Sequence, residues 1–489
     1  MAPYLRLLLA AFVGACAMTA PVSAQSQTDE LASHWRAITM ADLETAYALV
    51  RDNHPAAAPE LEDVAFQQRL ANAHATARER VANVTDIYGY LAVMSGFGVA
   101  LEDKHLFFIN AISPRLVRWP QFIAARRAGA WVIVDGADDI EGARIISCGG
   151  ERIDDYARER LGGFRAIWSI EAQRIANGRL LFIDDGNPFV QHADRCVIDG
   201  DGQPREIALN WTRTSTESLR ARLVAPVGRP GLGVERVDGG WWINLEELSN
   251  RAAGVVAEAR ANREALRRAP FVVLDMRGNG GGNSRYGDEL AALLERGGAE
   301  ETPAPAAPGT ALRCPEAWRA TPANLAEMRD QLRRFAGDFG PDFARDMQSQ
   351  IDGVEAALQR GDAFAYDVTA CARRPAPPLA AASAAERFAV PVAIVTDHTC
   401  FSSCLLVTAD FIARGAVHIG EATDAGTRYF ETRFVALPSG LGFFSTMQKV
   451  SFGSQAQIGP FEPAQAFDGD ISDTAAVRRR VAEIMTARR

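Results

Sequence analysis

FVVLDMRGNGGGN, residues 271–283, is an apolar run of strand length that breaks abruptly into glycine. A distant stretch, PVAIVTDHTCFSSCLL at 391–406, has the same shape but ends in serines. An uninterrupted apolar run of this kind suits a strand buried on both faces, whose end delivers functional backbone to one edge of a sheet. Glycines at such an end let peptide N–H groups approach a ligand without Cβ interference. A serine opening a helix holds its oxygen near the positive end of the dipole. Read together, the two stretches suggest an oxyanion hole facing a nucleophile.

Around them, from about Gly233 onward, strand and helix patterns alternate. The strands are Trp241–Leu245, Phe271–Met276, Val390–Val395 and Ala416–Ile419. The helices run over Ala252–Arg268, from Gly287 to Leu294 and from Ser403 to Ala413. Such alternation predicts an α/β core, a mainly parallel sheet flanked by helices with its chemistry at the strand ends. Residues 296–387 interrupt it. Pro/Ala tracts at Pro303–Pro308 and Pro375–Ala385 enclose a helical stretch, Ala323–Gln359, so this segment reads as an insert mounted on the core, a lid or a partner surface.

Upstream, residues 25–115 read as helical. In DLETAYALVRDNHP the apolar positions Leu43, Ala46, Tyr47 and Val50 fall at helical spacing until His54-Pro55 stops them, and further helices follow at Val64–Ala82 and Thr85–Met94. The region ends in Leu101-Glu102-Asp103-Lys104-His105. From about Val117 to Thr214 the pattern changes to short strands and Gly/Asp turns with a helix at Ile153–Leu161. That is the make-up of a small β domain able to add an extended peptide to a sheet edge, the plain alternative being a structural spacer.

At 489 residues the chain is long enough for two or three domains. Its net charge of −9, with no basic stripe, argues against nucleic acid as a partner. Arg6, the apolar run Leu7–Ala15 and the small residues through Val22-Ser23-Ala24 make a secretory signal peptide cleaved after Ala24. Val13-Gly14-Ala15-Cys16 also fits a lipoprotein box that would leave Cys16 lipidated. No later stretch approaches the roughly 20 apolar residues of a spanning helix. Export places Cys148, Cys196, Cys314, Cys371, Cys400 and Cys404 in an oxidising compartment. Their pairing is open, with Cys314–Cys371 preferred because these two bracket one insert.

Each chemical feature has a plain alternative. Ser402 or Ser403 could be a helix N-cap. The glycine run could hold a phosphate, although its spacing and its place deep in the chain disfavour a dinucleotide fold. His105 could be a surface histidine beside a strand. His398, Cys400 and Cys404 lack the second Cys/His pair of a structural zinc site, and export favours oxidation of the thiols.

Taken in order, LDMRGNGGG at Leu274–Gly282, the opening DLETAYALVRDNHP, LEDKH, Ile394–Leu406, Gly420-Glu421-Ala422-Thr423 and Leu437-Pro438-Ser439-Gly440 resemble the tail-specific (C-terminal processing) protease superfamily. The resemblance spans most of the chain apart from the insert. It implies a helical N-terminal region at 25–115, a PDZ-like domain at 116–214 and a crotonase/ClpP-like catalytic core at 233–489 carrying the insert at 296–387. It further implies a periplasmic or secreted serine peptidase acting on peptides or unfolded proteins, with no cofactor and no metal. Ser402 would be the nucleophile, and the N–H of Ser403 with that of Gly280 or Gly281 would form the oxyanion hole.

One departure decides the branch. Members of the bacterial processing type resemble a Ser/Lys dyad with the lysine shortly after the Gly-Glu-x-Thr turn, where this chain reads Asp424-Ala425-Gly426-Thr427-Arg428. Arginine, with a pKa of about 12 or higher, offers no neutral base. The chain's two lysines, Lys104 and Lys449, lie elsewhere. The tricorn-like branch uses an N-terminal histidine instead, and His105 stands in that place, with His398 as the competitor. A C-terminal glutamate orients the histidine in that branch, which points to Glu462; Asp103 and Glu421 are alternatives. The second reading is a catalytically inactive peptide- or ligand-binding homologue on the same fold.

Overall fold

The computed structural model describes residues 24–112, 115–237, 239–296, 316–367, 388–452 and 457–488. The signal-peptide and Cys16 expectations, the Cys314–Cys371 bridge and both Pro/Ala tracts lie outside the described residues.

The N-terminal region forms helices α1 (Ala24–Asn53), α2 (Val64–Val81) and α3 (Ile87–Val99), then a short strand β1 (Phe108–Asn110). Asp63 caps α2 by accepting from Phe66 N, and Asp86 caps α3 by accepting from Tyr88 and Gly89 N, which satisfies N–H groups that have no intrahelical acceptor. The periodic residues Leu43, Ala46, Val50, Leu70, Ala73 and Ala77 enter one core with Tyr429, Phe444, Met447 and Val450 from the far end of the chain. This region therefore closes its core only with the help of a C-terminal hairpin.

The middle of the chain is an antiparallel sheet of β2 (Ile123–Arg127), β3 (Ala130–Asp135), β4 (Arg144–Cys148), β5 (Arg195–Asp199) and β6 (Pro204–Ala208), with helix α4 (Glu171–Gly178) packed on β2. Cys148 and Cys196 stand opposite each other in the β4–β5 register and are joined as a disulfide. A Cβ on Gly178 would lie 3.0 Å from the Arg126 backbone N, so glycine is what lets α4 sit this close to the strand.

The third unit is a sheet in the order β7 (Leu232–Val237), β8 (Gly240–Leu245), β9 (Val272–Asp275), β12 (Val392–Thr396), β13 (Val417–Gly420) and β16 (Gln465–Ala466). All pairs are parallel except β7–β8. Its apolar strands are buried on both faces, as continuous runs require. Val272, Leu274, Val392 and Ile394 pack on helices α5 (Ala252–Ala261), α6 (Arg285–Leu294) and α8 (Ser403–Ala413). Phe271, Val273, Ala393 and Val395 point the other way, into α9 (Thr474–Ala487). The alternation splits β9 and β12 between two cores.

Within the expected insert, β10 (Glu316–Arg319) and β11 (Phe364–Tyr366) flank helix α7 (Pro322–Arg360), which kinks at Gly340-Pro341. Strand β10 pairs with β15 (Gly442–Ser451), which also pairs with β14 (Tyr429–Ala436) and β1. The described part of the insert is thus stitched into a sheet rather than hung from the core. Lys449, on β15, is 5% exposed and held by Asp367 at 2.6 Å and Glu316 at 2.9 Å. It is a buried structural cation.

Among the described residues no helix is long and apolar enough to cross a membrane.

Candidate active site

The two stretches that opened the sequence reading meet at the ends of adjacent parallel strands, β9 and β12, in the register Asp275↔Val395. Asp397, fully buried, joins them: Oδ2 accepts the N–H of Gly278 at 2.9 Å and of Gly228 at 3.0 Å, while Oδ1 accepts from Thr399 N at 3.0 Å. Burial pushes this carboxyl above the ordinary aspartate range, against the pull of His398 and Thr399. Just before the glycines, Arg277 is 0% exposed and grips Asp275 at 2.8–3.2 Å. Its Nη1 donates to Ile471 O at 2.7 Å, and Nη2, already on Asp275, also reaches Thr474 Oγ1 at 3.3 Å, at the start of α9.

Ser402 stands immediately before α8 with φ 56° and ψ −126°, and its side chain makes no capping hydrogen bond. An N-cap serine has extended backbone and gives its oxygen to the helix. Ser402 does neither. A strained non-glycine conformation whose hydroxyl has no hydrogen-bond partner among the described residues leaves that oxygen available for chemistry. Gly281, at φ +110°, lies against it: a Cβ there would be 2.8 Å from the Ser402 Cβ and 3.1 Å from Ser403 N. Ser403 Oγ donates to Gly282 O at 2.5 Å, a second link between the loops.

The glycine loop is fixed by a residue that sequence reasoning missed. Asn279, fully buried, donates Nδ2 to Leu245 O at 2.7 Å and accepts the Gly281 N–H at 2.9 Å. The Gly281 N–H is therefore already used, which corrects its expected part as an oxyanion donor. Gly280 is exposed and its N–H has no partner among the described residues, and the N–H of Ser403, first residue of α8, has no intrahelical acceptor.

His105 sits on the other side of the serine turn. Its ring packs on Phe401, the residue before Ser402, with centroids 4.4 Å apart. Its Nδ1 is 3.1 Å from Asp103 Oδ1, which also accepts the His105 backbone N–H at 2.8 Å. Asp103 Oδ2 accepts from Thr427 Oγ1 at 2.5 Å, and the His105 carbonyl accepts from Ser445 Oγ at 2.5 Å. Although burial works to raise it, the His105 and Thr427 hydrogen bonds hold the Asp103 carboxyl below the ordinary range.

The structure thus puts Asp103, not Glu462, on the histidine. Glu462 is exposed, and its contribution to the surroundings is a backbone carbonyl 3.2 Å from His418 Nδ1. Asp103 wins because it is two residues from His105 in a tight turn, where one carboxylate oxygen serves both the backbone and the ring of the histidine. That Asp-x-His spacing was the signal available in the sequence.

His398 is tied to Glu421, whose Oε2 accepts its backbone N–H at 3.0 Å and faces its Nδ1 at 2.8 Å. Lys104 spans the remaining gap: Nζ lies 2.6 Å from Asp424 Oδ2 and 4.5 Å from the Phe401 ring centroid. Asp424 Oδ1 in turn accepts from Gln173 of α4 at 2.9 Å, which wires the middle sheet to this site. The place where a dyad lysine was sought thus holds a buried aspartate that draws in a lysine from elsewhere. Cys400 and Cys404 are bonded to each other, so neither offers a thiolate to a metal.

No family model matches the chain, and no curated protein does. Solved structures do. The crystal structure of mature CPAF is 13% identical, with a TM-score of 0.60 over 93% of this chain and 98% of that one. Mature CPAF complexed with lactacystin is 13% identical, with a TM-score of 0.58 over 93% and 99%. The photosystem II D1 C-terminal processing protease is matched at 12% identity and a TM-score of 0.29 over 88% and 92%. The chain shares the fold of mature CPAF.

Proposed function

We propose that this chain is an exported serine peptidase of the tail-specific protease type. Its crotonase/ClpP-like core lies at 233–489, a PDZ-like domain at 116–214, and a histidine rather than a lysine serves as base. One observation carries the reading: Ser402 is held at positive φ against a glycine loop, its hydroxyl without a partner among the described residues, and a histidine–aspartate pair packs on the preceding Phe401. His105 accepts the Ser402 proton as Oγ attacks a peptide carbonyl carbon. Asp103 keeps the Nδ1–H directed inward and stabilises the imidazolium that forms. The oxyanion receives the N–H groups of Gly280 and Ser403, where one donor is worth about 2.7–4 kcal/mol. His105 then returns the proton to the leaving amine, and water, deprotonated by the same ring, releases the acyl group from Ser402.

His398 is the weaker candidate for base. Burial would lower its pKa, but the Glu421 hydrogen bond and charge, with Asp397 alongside, hold it above the ordinary histidine range, so it favours the protonated form.

Labelling of the purified protein with a fluorophosphonate, beside Ser402→Ala and His105→Ala, tests the proposal. Labelling of the wild type that disappears in both variants is the expected result. A folded wild type that takes up no probe would transfer the chain to the class of inactive peptide-binding homologues.

A further inference from the structure

We infer that the Cys400–Cys404 disulfide is a positioning device for Ser402, an inference that rests on the reading of Ser402 as nucleophile. The bridge joins cysteines four positions apart. The residues it encloses are Phe401, on which His105 packs, Ser402 itself and Ser403, whose N–H faces the oxyanion. Both cysteines are 0% exposed. On the strand side Cys400 is pinned by its own N–H to Asp397 O at 3.0 Å and by Asp424 N to its carbonyl at 3.0 Å. On the helix side Cys404 lies in the first turn of α8, with its N–H on Phe401 O at 3.1 Å.

The bridge therefore ties the last fixed point of the strand to the first fixed point of the helix, across a serine with φ 56°. Such a conformation costs roughly 1–3 kcal/mol and persists only where the surroundings over-determine it. A turn released from the bridge has a better local state. Ser402 adopts extended backbone, its hydroxyl caps α8, and it leaves the chemistry. The bridge forbids that relaxation by holding the chain ends of the turn together.

Opening it is thiol–disulfide exchange. A thiolate of an added dithiol attacks one sulfur, the other leaves as a thiolate, and the second thiol of the reagent resolves the mixed disulfide. The protein ends with two thiols and the reagent with one disulfide. Because both sulfurs are buried, exchange waits on opening of the turn.

The test is the fluorophosphonate labelling rate of the whole protein: oxidised, reduced with dithiothreitol, reoxidised, and as Cys400→Ala/Cys404→Ala. Thermal melting and circular dichroism are followed in each state. The Cys148→Ala/Cys196→Ala variant, which removes a bridge in the middle sheet, is the control and labels within twofold of wild type. The folded Cys400→Ala/Cys404→Ala protein and the reduced wild type label at least tenfold more slowly, and reoxidation restores the wild-type rate. With a peptide substrate the loss falls on kcat, while KM changes little. A folded double variant that labels within twofold of oxidised wild type overturns the inference and leaves the serine reading intact. An oxidised wild type that takes no probe sinks both. Where the double variant does not fold, the reduced wild type decides by the same criteria.

Discussion

His105 and His398 are held in the same way but packed differently. Each gives its backbone N–H and its Nδ1 to a single carboxylate oxygen, from Asp103 in one case and Glu421 in the other. They differ in where the rest of the ring goes. The His105 side chain is 13% exposed and packs on Phe401, whereas that of His398 is 2% exposed beneath the turn. What separates the two is exposure and the contact that His105 makes with Phe401, the residue before Ser402.

The largest expected effects break this comparison if it is wrong. His105→Ala lowers kcat/KM by about 10⁴-fold or more, close to the effect of Ser402→Ala, because members of one catalytic unit are not additive. His398→Ala lowers it much less. Peptide-cleavage kinetics on the two variants that came out in reverse order would exchange their roles. Next in size, Asp103→Asn lowers kcat by about 10²–10⁴-fold through loss of the tautomer that leaves the far nitrogen free to accept a proton. Glu462→Gln stays within about twofold in the same assay.

Gly281→Ala is expected to lower kcat about 10²-fold, since its Cβ would lie 2.8 Å from that of Ser402. The positive φ there adds roughly 1–3 kcal/mol of instability, readable as a lower denaturant midpoint.

The smallest effects concern pH and sharpen the contrast with a third histidine. His54 is fully buried, and among the described residues its ring has no carboxylate partner: Nδ1 accepts Ala56 N, and Nε2 has none. Burial pushes its pKa down to about 3. The unfolded chain binds this proton near pH 6.5 and the folded chain does not. Acidification from about 6.5 toward 3 therefore favours unfolding, by about 1.4 kcal/mol per pH unit. His54→Gln flattens that slope in urea melts taken between pH 7 and 5. His398 has the opposite sign. Its raised pKa contributes stability that is present below about pH 6.5 and fades as pH rises through the folded value, so Glu421→Gln destabilises more at pH 6 than at pH 9.

What could be read from the sequence follows from how local each signal is. The runs at 271–276 and 391–395 announced strands buried on both faces, since nothing polar interrupts them. The glycines and the strand–serine–helix junction suggested a site, and the family resemblance then pointed to Ser402, His105 and Gly280 within it. Asp103 was legible only as an alternative. Its role depends on a turn that folds the aspartate back onto the histidine, while the resemblance directed attention to Glu462, which the fold leaves at the surface. Asn279 was hidden among glycines, because its work is to hold Leu245, a residue whose neighbourhood only the sheet order reveals. The N-terminal helices were legible, but helical periodicity marks a buried face without naming what covers it. Here the cover is a hairpin more than 300 residues away in sequence, as the Phe108↔Phe444 pairing shows.

Arg277 ties two distant parts of the chain together. Its guanidinium lies one residue before the first glycine of the loop and takes two of its acceptors from Ile471 and Thr474. Along the chain, the glycine loop and its strand precede those partners by nearly 200 residues. In the folded protein a fully buried guanidinium without them would lack two of its hydrogen-bond acceptors, so the glycine loop depends on α9 for the conformation it holds.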